Sequence, residues 1–352
     1  MKTRLPSELE RLVREAVEKD ASDLFLIPGE PPAMRLRGVI ERMDVDALTA
    51  DAVRTMAEEV IGHENLVQIG PKLARFQQWC GSPGEFNLSI CVARSHGDYT
   101  IAFRIMPTRI FTADEVSMPP AIVKAATLLH GLIVLSGLTG SGKTTTVYAL
   151  LDHINATADG CHICTVEGPS HMLIPSKKAL VQQREIGVDV PDALAGIQAS
   201  ADQDVDVLYI GDEADAEALL AGIGLADTGR LVITQMHAAA PADVISRIID
   251  AFPDVVRDLY RRTLARVLRA VSAQILLPKA GGKGRVPTYG VLIPDEEMRQ
   301  AIAEGRDFMA RRTPWPEGCQ TIPEHLQRLL AAGIVSEEAV GNAMDALASR
   351  MP

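Results

Sequence analysis

A glycine-rich stretch over residues 137–144 has the residue types needed to hold a phosphate chain. Its sequence, Gly-Leu-Thr-Gly-Ser-Gly-Lys-Thr, satisfies the pattern of a phosphate-binding loop. Glycines let backbone N–H groups turn toward phosphate oxygens, the lysine places a positive charge on the β- and γ-phosphates, and the last threonine offers a hydroxyl to Mg²⁺. The predicted ATP-binding residues are those of the loop and of the helix that follows it: Gly137, Thr139, Gly140, Ser141, Gly142, Lys143, Thr144 and Thr145.

Two strand-like segments end in acidic residues that could complete the chemistry of ATP hydrolysis. Asp212 ends the mostly apolar run 206–212, and a carboxylate at such a strand tip could hold Mg²⁺ together with Thr144. Glu213 is adjacent and could take the same role, while a solvated acidic turn is the non-catalytic alternative. Glu167 ends another strand-like run, where a carboxylate could orient and deprotonate the attacking water.

Three other residues each allow two interpretations. His237 follows an apolar run and could sense the γ-phosphate or contact a neighbouring subunit, although a lone histidine is more often structural. Cys161 and Cys164 have metal-ligand spacing, but residues three apart on a strand face opposite sides. Buried, inert cysteines are therefore favoured over a zinc site.

Size and composition set outer limits on the function. The 352 residues are enough for two or three domains. A net charge of -11 argues against nucleic acid as the main partner. No apolar run approaches the roughly 18–20 residues that span a bilayer, and the N-terminus lacks the apolar core of a signal peptide. These features predict a cytoplasmic protein that could still dock on a membrane protein.

The N-terminal third of the chain mixes helical and extended patterns. They predict a small α+β domain over residues 1–107, followed by a proline-containing linker over 108–120. The elements predicted in this domain are two helices and four extended segments, over residues 7–20 and 49–61, and over 21–27, 33–40, 85–93 and 99–106.

The remainder of the chain alternates between short apolar runs and helical segments. This predicts an α/β domain over residues 121–280 with a mainly parallel sheet. The chain is predicted to be mostly helical from about residue 254, with a C-terminal helical region over 281–352. The predicted strands lie at residues 132–135, 162–166, 207–210 and 231–234.

Several motifs in order resemble the type II/type IV secretion ATPase superfamily, most closely the type IV pilus retraction (PilT) group. Beyond the phosphate loop, 165–169 resembles its Asp box, 211–215 its Walker B segment and 228–237 its His box. Other segments similar to this family lie on both sides of these motifs, at residues 21–24, 29–32, 182–189, 247–253, 274–278 and 320–334.

The resemblance implies a RecA-like P-loop ATPase core with an N-terminal PAS-like α+β domain and a C-terminal helical tail. It further implies a hexameric ring that binds ATP and Mg²⁺ between the two domains of each subunit. Such a ring drives an inner-membrane platform protein at the cytoplasmic face of the membrane, sometimes beside a paralogous motor ATPase. By position, Glu167 would be the catalytic base, Asp212 the Walker B acid and His237 the His-box histidine. Arg94 and Arg104 lie where arginines of the family's N-terminal domain reach toward nucleotide.

The chain also departs from the family pattern. Asp212 stands for the usual Glu, Gly168 for Asp, Ala214 for Arg and Arg230 for His, and residues 85–88 lack the usual arginines. An active retraction motor of twitching motility is the favoured prediction. The departures leave open a nucleotide-binding accessory paralogue with little turnover. A type II secretion or pilus-assembly ATPase is disfavoured, since those usually have a longer N-terminal region and a four-cysteine insert.

Overall fold

The computed structural model describes residues 7–36, 38–70, 75–82, 86–106, 109–212, 215–282, 284–311 and 313–348. The chain divides into two compact units, Met1–Arg109 and Ile110–Pro352. Each unit has its own hydrophobic core.

The first unit consists of helices packed on an antiparallel sheet with strand order β3-β2-β1-β6-β5-β4. Helix α1 buries Leu9, Leu12, Val13 and Ala16, a spacing that places one helical stripe against the sheet. Its elements are α1 (Ser7–Glu18), β1 (Asp23–Leu26), β2 (Ala33–Leu36), β3 (Val39–Arg42), α2 (Ala50–Ile61), α3 (His63–Gln68), β4 (Arg75–Ser82), β5 (Phe86–Ser95) and β6 (Asp98–Met106).

The second unit is a seven-stranded sheet with the order β13-β12-β7-β11-β10-β8-β9. All neighbouring strands are parallel except β12 and β13. Its elements are α4 (Pro120–Ala125), β7 (Gly131–Gly137), α5 (Lys143–Thr157), β8 (His162–Glu167), β9 (Leu180–Glu185), α6 (Ala193–Asp202), β10 (Val207–Ile210), α7 (Ala216–Asp227), β11 (Leu231–Met236), α8 (Pro241–Asp250), α9 (Arg257–Val267), β12 (Leu268–Pro278), β13 (Arg285–Leu292), α10 (Glu296–Glu304), α11 (Ile322–Ala331) and α12 (Glu337–Ala348).

Helices cover both faces of this sheet. Every residue of β7 is buried, as expected for a parallel strand in the middle of a doubly covered sheet. Ile133 and Leu135 pack with α5, whereas Leu132 and Val134 pack with α6 to α10. The α/β fold with a mainly parallel sheet, predicted from the alternating pattern, is confirmed.

The prediction of a mostly helical chain after residue 254 is wrong in part. The run Leu268–Pro278 is strand β12, and the region 281–352 contains strand β13 before its helices begin. The arginine-rich helical period of α9 ends at Val267, but β12 is buried beside β7 and therefore lacks the polar alternation that marks a half-exposed strand. Among the described residues, no helix is both long and apolar enough to cross a membrane.

Candidate active site

The glycine-rich loop connects the end of β7 to the first turn of α5. Gly137, Gly140 and Gly142 have φ values of +152°, +78° and +87°, which residues other than glycine rarely adopt. A Cβ on Gly137 would also lie 2.4 Å from Ser141 Oγ and 2.6 Å from Gln274 O. The loop therefore needs glycine both for its conformation and for its close packing.

The start of α5 faces the loop with unpaired helical N–H groups. The first turn of any α-helix has N–H groups without intrahelical partners, and the helix dipole adds positive potential there. In α5 this turn begins at Lys143, immediately after the loop, and Thr144 and Thr145 lie in it. Loop amides and helix N-terminus together form a binding site suited to phosphate.

The ammonium group of Lys143 is buried next to the glycine-rich loop. Its side chain is only 6% exposed, and Nζ lies 3.0 Å from Gly137 O, 3.3 Å from Leu138 O and 3.3 Å from His237 Nδ1. Burial lowers the pKa of Lys143, while the carboxylate of Asp212 acts in the opposite direction. The ammonium is thus placed where the loop would receive phosphate.

His237 connects Lys143 to Asp212. Its Nδ1 faces the lysine ammonium, and its Nε2 lies 3.1 Å from Asp212 Oδ2. An ammonium can only donate, so Nδ1 accepts and the ring proton on Nε2 is donated to the carboxylate. The three residues come from α5 and from the ends of β11 and β10, which follow β7 in the sheet. Parallel strands bring their carboxyl ends to one edge, where ligands bind in such folds.

Glu167 lies at the same edge, at the end of β8. It is 1% exposed, and its Oε1 accepts a hydrogen bond of 2.7 Å from Tyr148 Oη on α5. Burial, followed by the nearby Glu167 charge, raises the pKa of Tyr148 well above its usual value. The tyrosine is therefore a neutral donor to the carboxylate.

Asp212 and Thr144 suit Mg²⁺ by the chemistry of their donor atoms. One offers a carboxylate at a strand tip and the other a hydroxyl in the first turn of α5, and each is only partly buried. Mg²⁺ prefers such oxygen ligands and keeps several waters in its shell. The alternative acid, Glu213, lies outside the described residues, as do Ala214 and Glu85.

Gly168 and Arg230, two residues that depart from the family pattern, lie in different places relative to the glycine loop. A Cβ on Gly168, which follows Glu167, would lie 3.0 Å from Ile186 Cβ. Arg230 precedes β11 and pairs with Asp204 at 3.8 Å. It is separated from His237 by the length of β11, roughly 20 Å. Arg230 therefore lies at the edge of the sheet opposite the glycine loop.

The two arginines predicted to reach nucleotide belong to the first unit. Arg94 donates to Gly97 O through Nε and Nη2, at 3.2 Å and 2.5 Å, and lies over the ring of Tyr99. Arg104 is 66% exposed and forms a 3.5 Å ion pair with Asp23. These contacts are local, and the role of the two arginines at nucleotide stays a prediction.

The cysteine pair lies on opposite sides of the second sheet. Cys164 packs in the core toward α6, while Cys161 packs toward α5. Burial raises the pKa of Cys161 to about 11. Because they face opposite sides of the sheet, the two thiols cannot bind one ion together. Within the part of the chain that the structure describes, no group of three or more His, Cys, Asp or Glu side chains could hold a metal ion.

Two supporting residues were not predicted from the sequence. Gln274 on β12 is buried and donates from Nε2 to Ser141 O at 2.7 Å, which fixes the loop from the neighbouring strand. Tyr148 contacts Glu167. No sequence signal indicates that Tyr148 and Glu167 are partners.

A glycine loop between a central parallel strand and a helix, with acids at the ends of neighbouring strands, defines a P-loop ATPase with a RecA-like core. The family model for type II/IV secretion system proteins matches residues 3–341. The chain belongs to this family and is one of its ATPases.

Curated relatives and a solved structure agree with this assignment. The type IV pilus retraction ATPase PilT of Pseudomonas aeruginosa is 29% identical over 94% of this chain and 96% of its own length. The type IV pilus ATPase PilU of the same organism is 29% identical over 96% of this chain and 88% of its own. A crystal structure of the pilus retraction motor PilT with bound ADP matches with a TM-score of 0.83 and 31% identity, over 95% of this chain and 96% of that one.

Proposed function

We propose that this protein is an ATP-hydrolysing motor that drives retraction of a type IV pilus and hence twitching motility. The observation that carries the proposal is the meeting of Lys143, His237 and Asp212 beside the glycine loop, at the sheet edge where Glu167 also lies. A phosphate-binding lysine, an acid that can hold metal and a base for the attacking water are parts that ATP hydrolysis uses. The similarity to pilus retraction motors favours retraction of the pilus as the direction of the motor.

Each residue has a proposed role in hydrolysis. The loop amides and Lys143 bind the β- and γ-phosphates, and Glu167 takes the proton of the attacking water. Asp212 and Thr144 would hold Mg²⁺, which supplies neutralising charge to the phosphate oxygens when bound. His237 donates to Asp212 and contacts Lys143, so a change in the position of either charge moves its ring.

The assembly is proposed from the resemblance. Six copies form a ring on the cytoplasmic side of the inner membrane and act on a pilus platform protein. A PAS-like domain (1–107), a linker (108–120), the RecA-like domain (121–280) and a C-terminal region (281–352) make up each subunit. Arg94 and Arg104 act on nucleotide from the PAS-like domain.

An accessory subunit with slow turnover is the second candidate. Gly168 supports it, because the chain lacks the family's acid directly after Glu167 and a Cβ there would press on Ile186. Charge removal at a site lowers the rate more than it lowers binding. The position of Arg230 away from the site weakens this alternative.

A steady-state ATPase assay beside a nucleotide-binding assay on the same preparation tests the proposal. We expect Mg²⁺-dependent turnover by the wild type, loss of turnover in Lys143→Ala, and no loss in Lys124→Ala, which removes an exposed lysine on α4. A wild type that binds ATP but turns over no faster than Lys143→Ala would establish the accessory subunit instead.

A further inference from the structure

The hydroxyl of Tyr148 uses its whole hydrogen-bonding capacity around Glu167. The backbone N–H groups of His171 and Met172 lie 3.0 Å and 3.3 Å from Oη, and Glu167 Oε1 lies 2.7 Å away. Backbone N–H groups can only donate, so Oη accepts from both of them. Its single proton is then directed at the Glu167 carboxylate.

This arrangement also connects two parts of the active site. Tyr148 is on α5, the helix whose first turn carries Lys143 and Thr144. The N–H groups that it accepts belong to the segment directly after Glu167. One buried hydroxyl therefore ties the phosphate-binding helix both to the acid and to the chain that leads away from it.

Packing alone does not explain the hydroxyl. The Tyr148 side chain is fully buried among apolar side chains, and a phenylalanine ring would fill that space equally well. A buried hydroxyl is costly unless its hydrogen bonds are made. Here all of those bonds go to Glu167 and to the segment behind it, so the group is placed to act on that acid.

We propose that Tyr148 is a positioning residue for ATP hydrolysis, whose hydroxyl fixes the orientation of Glu167 and keeps it a carboxylate that can accept a proton from water. The inference rests on the proposed function, in which Glu167 is the base. A hydrogen bond donated to a carboxylate favours its charged form. Removal of the hydroxyl should therefore raise the pKa of Glu167 and leave phosphate binding intact.

Other titratable groups lie on the elements next to Glu167 and are common to both forms of the protein. Because they are unchanged in a Tyr148→Phe variant, a difference between its pH profile and that of the wild type reports the hydroxyl. These groups come from the following segment, from β9, from the end of β10 and from the start of α5: His171, Glu185, Asp212 and Lys143.

The experiment compares kcat, KM for ATP and the pH profile of kcat in the wild type, Tyr148→Phe and Tyr289→Phe. For Tyr148→Phe we expect kcat to fall about 10- to 100-fold and KM to stay within about twofold, since the bonds that are lost go to Glu167 and to the N–H groups of His171 and Met172, and none goes to the phosphate loop. The acidic limb of the profile should move up by about one pH unit, because the base would be protonated at a higher pH.

Tyr289→Phe is the matched control. Its hydroxyl is also buried beside α5, where it donates to Val116 O at 2.7 Å and lies 3.4 Å from Thr146 Oγ1. The structure gives it no contact with Glu167, so its loss should leave the acidic limb in place. A shift of that limb in Tyr289→Phe equal to that in Tyr148→Phe would overturn the inference.

The remaining outcomes separate this inference from the proposed function. An active wild type with an unchanged kcat and acidic limb in Tyr148→Phe would overturn the positioning role alone. A Tyr148→Phe protein that no longer unfolds cooperatively or no longer binds ADP would show that the hydroxyl is a structural group, and would also overturn it. A wild type without turnover above Lys143→Ala would remove the proposed function, and this inference with it.

Discussion

His237 spans the space between Lys143 and Asp212, two residues far apart in the sequence. Asp212 is one methylene shorter than the glutamate usual in this family, yet His237 Nε2 reaches its carboxylate at 3.1 Å. The shorter acid is thus held in place by a donor at the sheet edge. We expect the departure at Asp212 to be compatible with metal binding, since Asp is a normal Mg²⁺ ligand in P-loop enzymes.

The sequence predicted the residues of this site unevenly. The loop could be predicted because its residues are contiguous and each backbone requirement is met by a local residue type. Glu167, Asp212 and His237 could be predicted only as separate strand ends. Gln274 contacts Ser141 from 133 positions away, and nothing local to a buried glutamine indicates such a partner.

Glu167→Gln tests the base directly. The amide keeps the size of the side chain and can still accept the Tyr148 hydrogen bond, but it cannot take a proton from water. We expect kcat to fall about 10²- to 10⁴-fold, with ATP affinity retained because Glu167 lies outside the loop. Single-turnover kinetics and equilibrium binding measure the two quantities.

Glu217→Gln is the matched control, since Glu217 is exposed in the first turn of α7. It should hydrolyse ATP at the wild-type rate. If Glu167→Gln also retained that rate, Glu167 would not be the base, and another acid at the sheet edge would have to be sought.

At the scale of elements, strand order decides which side chains meet. The order β7-β11-β10-β8 places the loop, His237, Asp212 and Glu167 at successive strand ends. The alternating pattern could predict parallel strands but not this order, because order depends on which crossovers pass which face. Strand β12 was not predicted because it is buried next to β7, and a buried strand lacks the polar alternation by which a half-exposed strand is recognised.

Gly137→Ala tests the junction of β7 with the loop. The added methyl would meet Ser141 Oγ and the Gln274 carbonyl, and the backbone at φ +152° would itself be strained by about 1–3 kcal/mol. We expect a lower midpoint of thermal unfolding and the loss of ADP binding, as followed by calorimetry and by equilibrium titration.

Gly229→Ala is the control that introduces backbone strain without a steric clash. Gly229 has φ +108° and no atom within 4 Å of its added Cβ, and it precedes β11 at the edge opposite the loop. We expect this variant to lose stability while retaining ADP binding. Equal loss of binding in both variants would mean that general destabilisation, rather than the loop, had been measured.

At the scale of the whole molecule, the candidate ATP site and the predicted nucleotide-facing arginines belong to different compact units. The loop lies in Ile110–Pro352 and Arg94 and Arg104 in Met1–Arg109. The sequence patterns favour two kinds of domain, a small α+β domain over residues 1–107 and an α/β domain with a mainly parallel sheet over 121–280, and these bounds stay a prediction. A motor needs such a division, since work requires one rigid part to move against another.

The proposed ring makes a prediction about mass. Sedimentation velocity should give a species of six subunits, favoured further by Mg²⁺ and ATP, because a ligand that binds the assembled form better stabilises it by mass action. Glu167→Gln should form the same species and keep it longer, since bound ATP is not turned over, whereas Lys143→Ala should gain nothing from ATP.

A single-subunit mass for the wild type with and without ATP would contradict the ring. Turnover by such a monomer would leave the ATPase intact and remove the motor, because force on a pilus is proposed to come from subunits acting together.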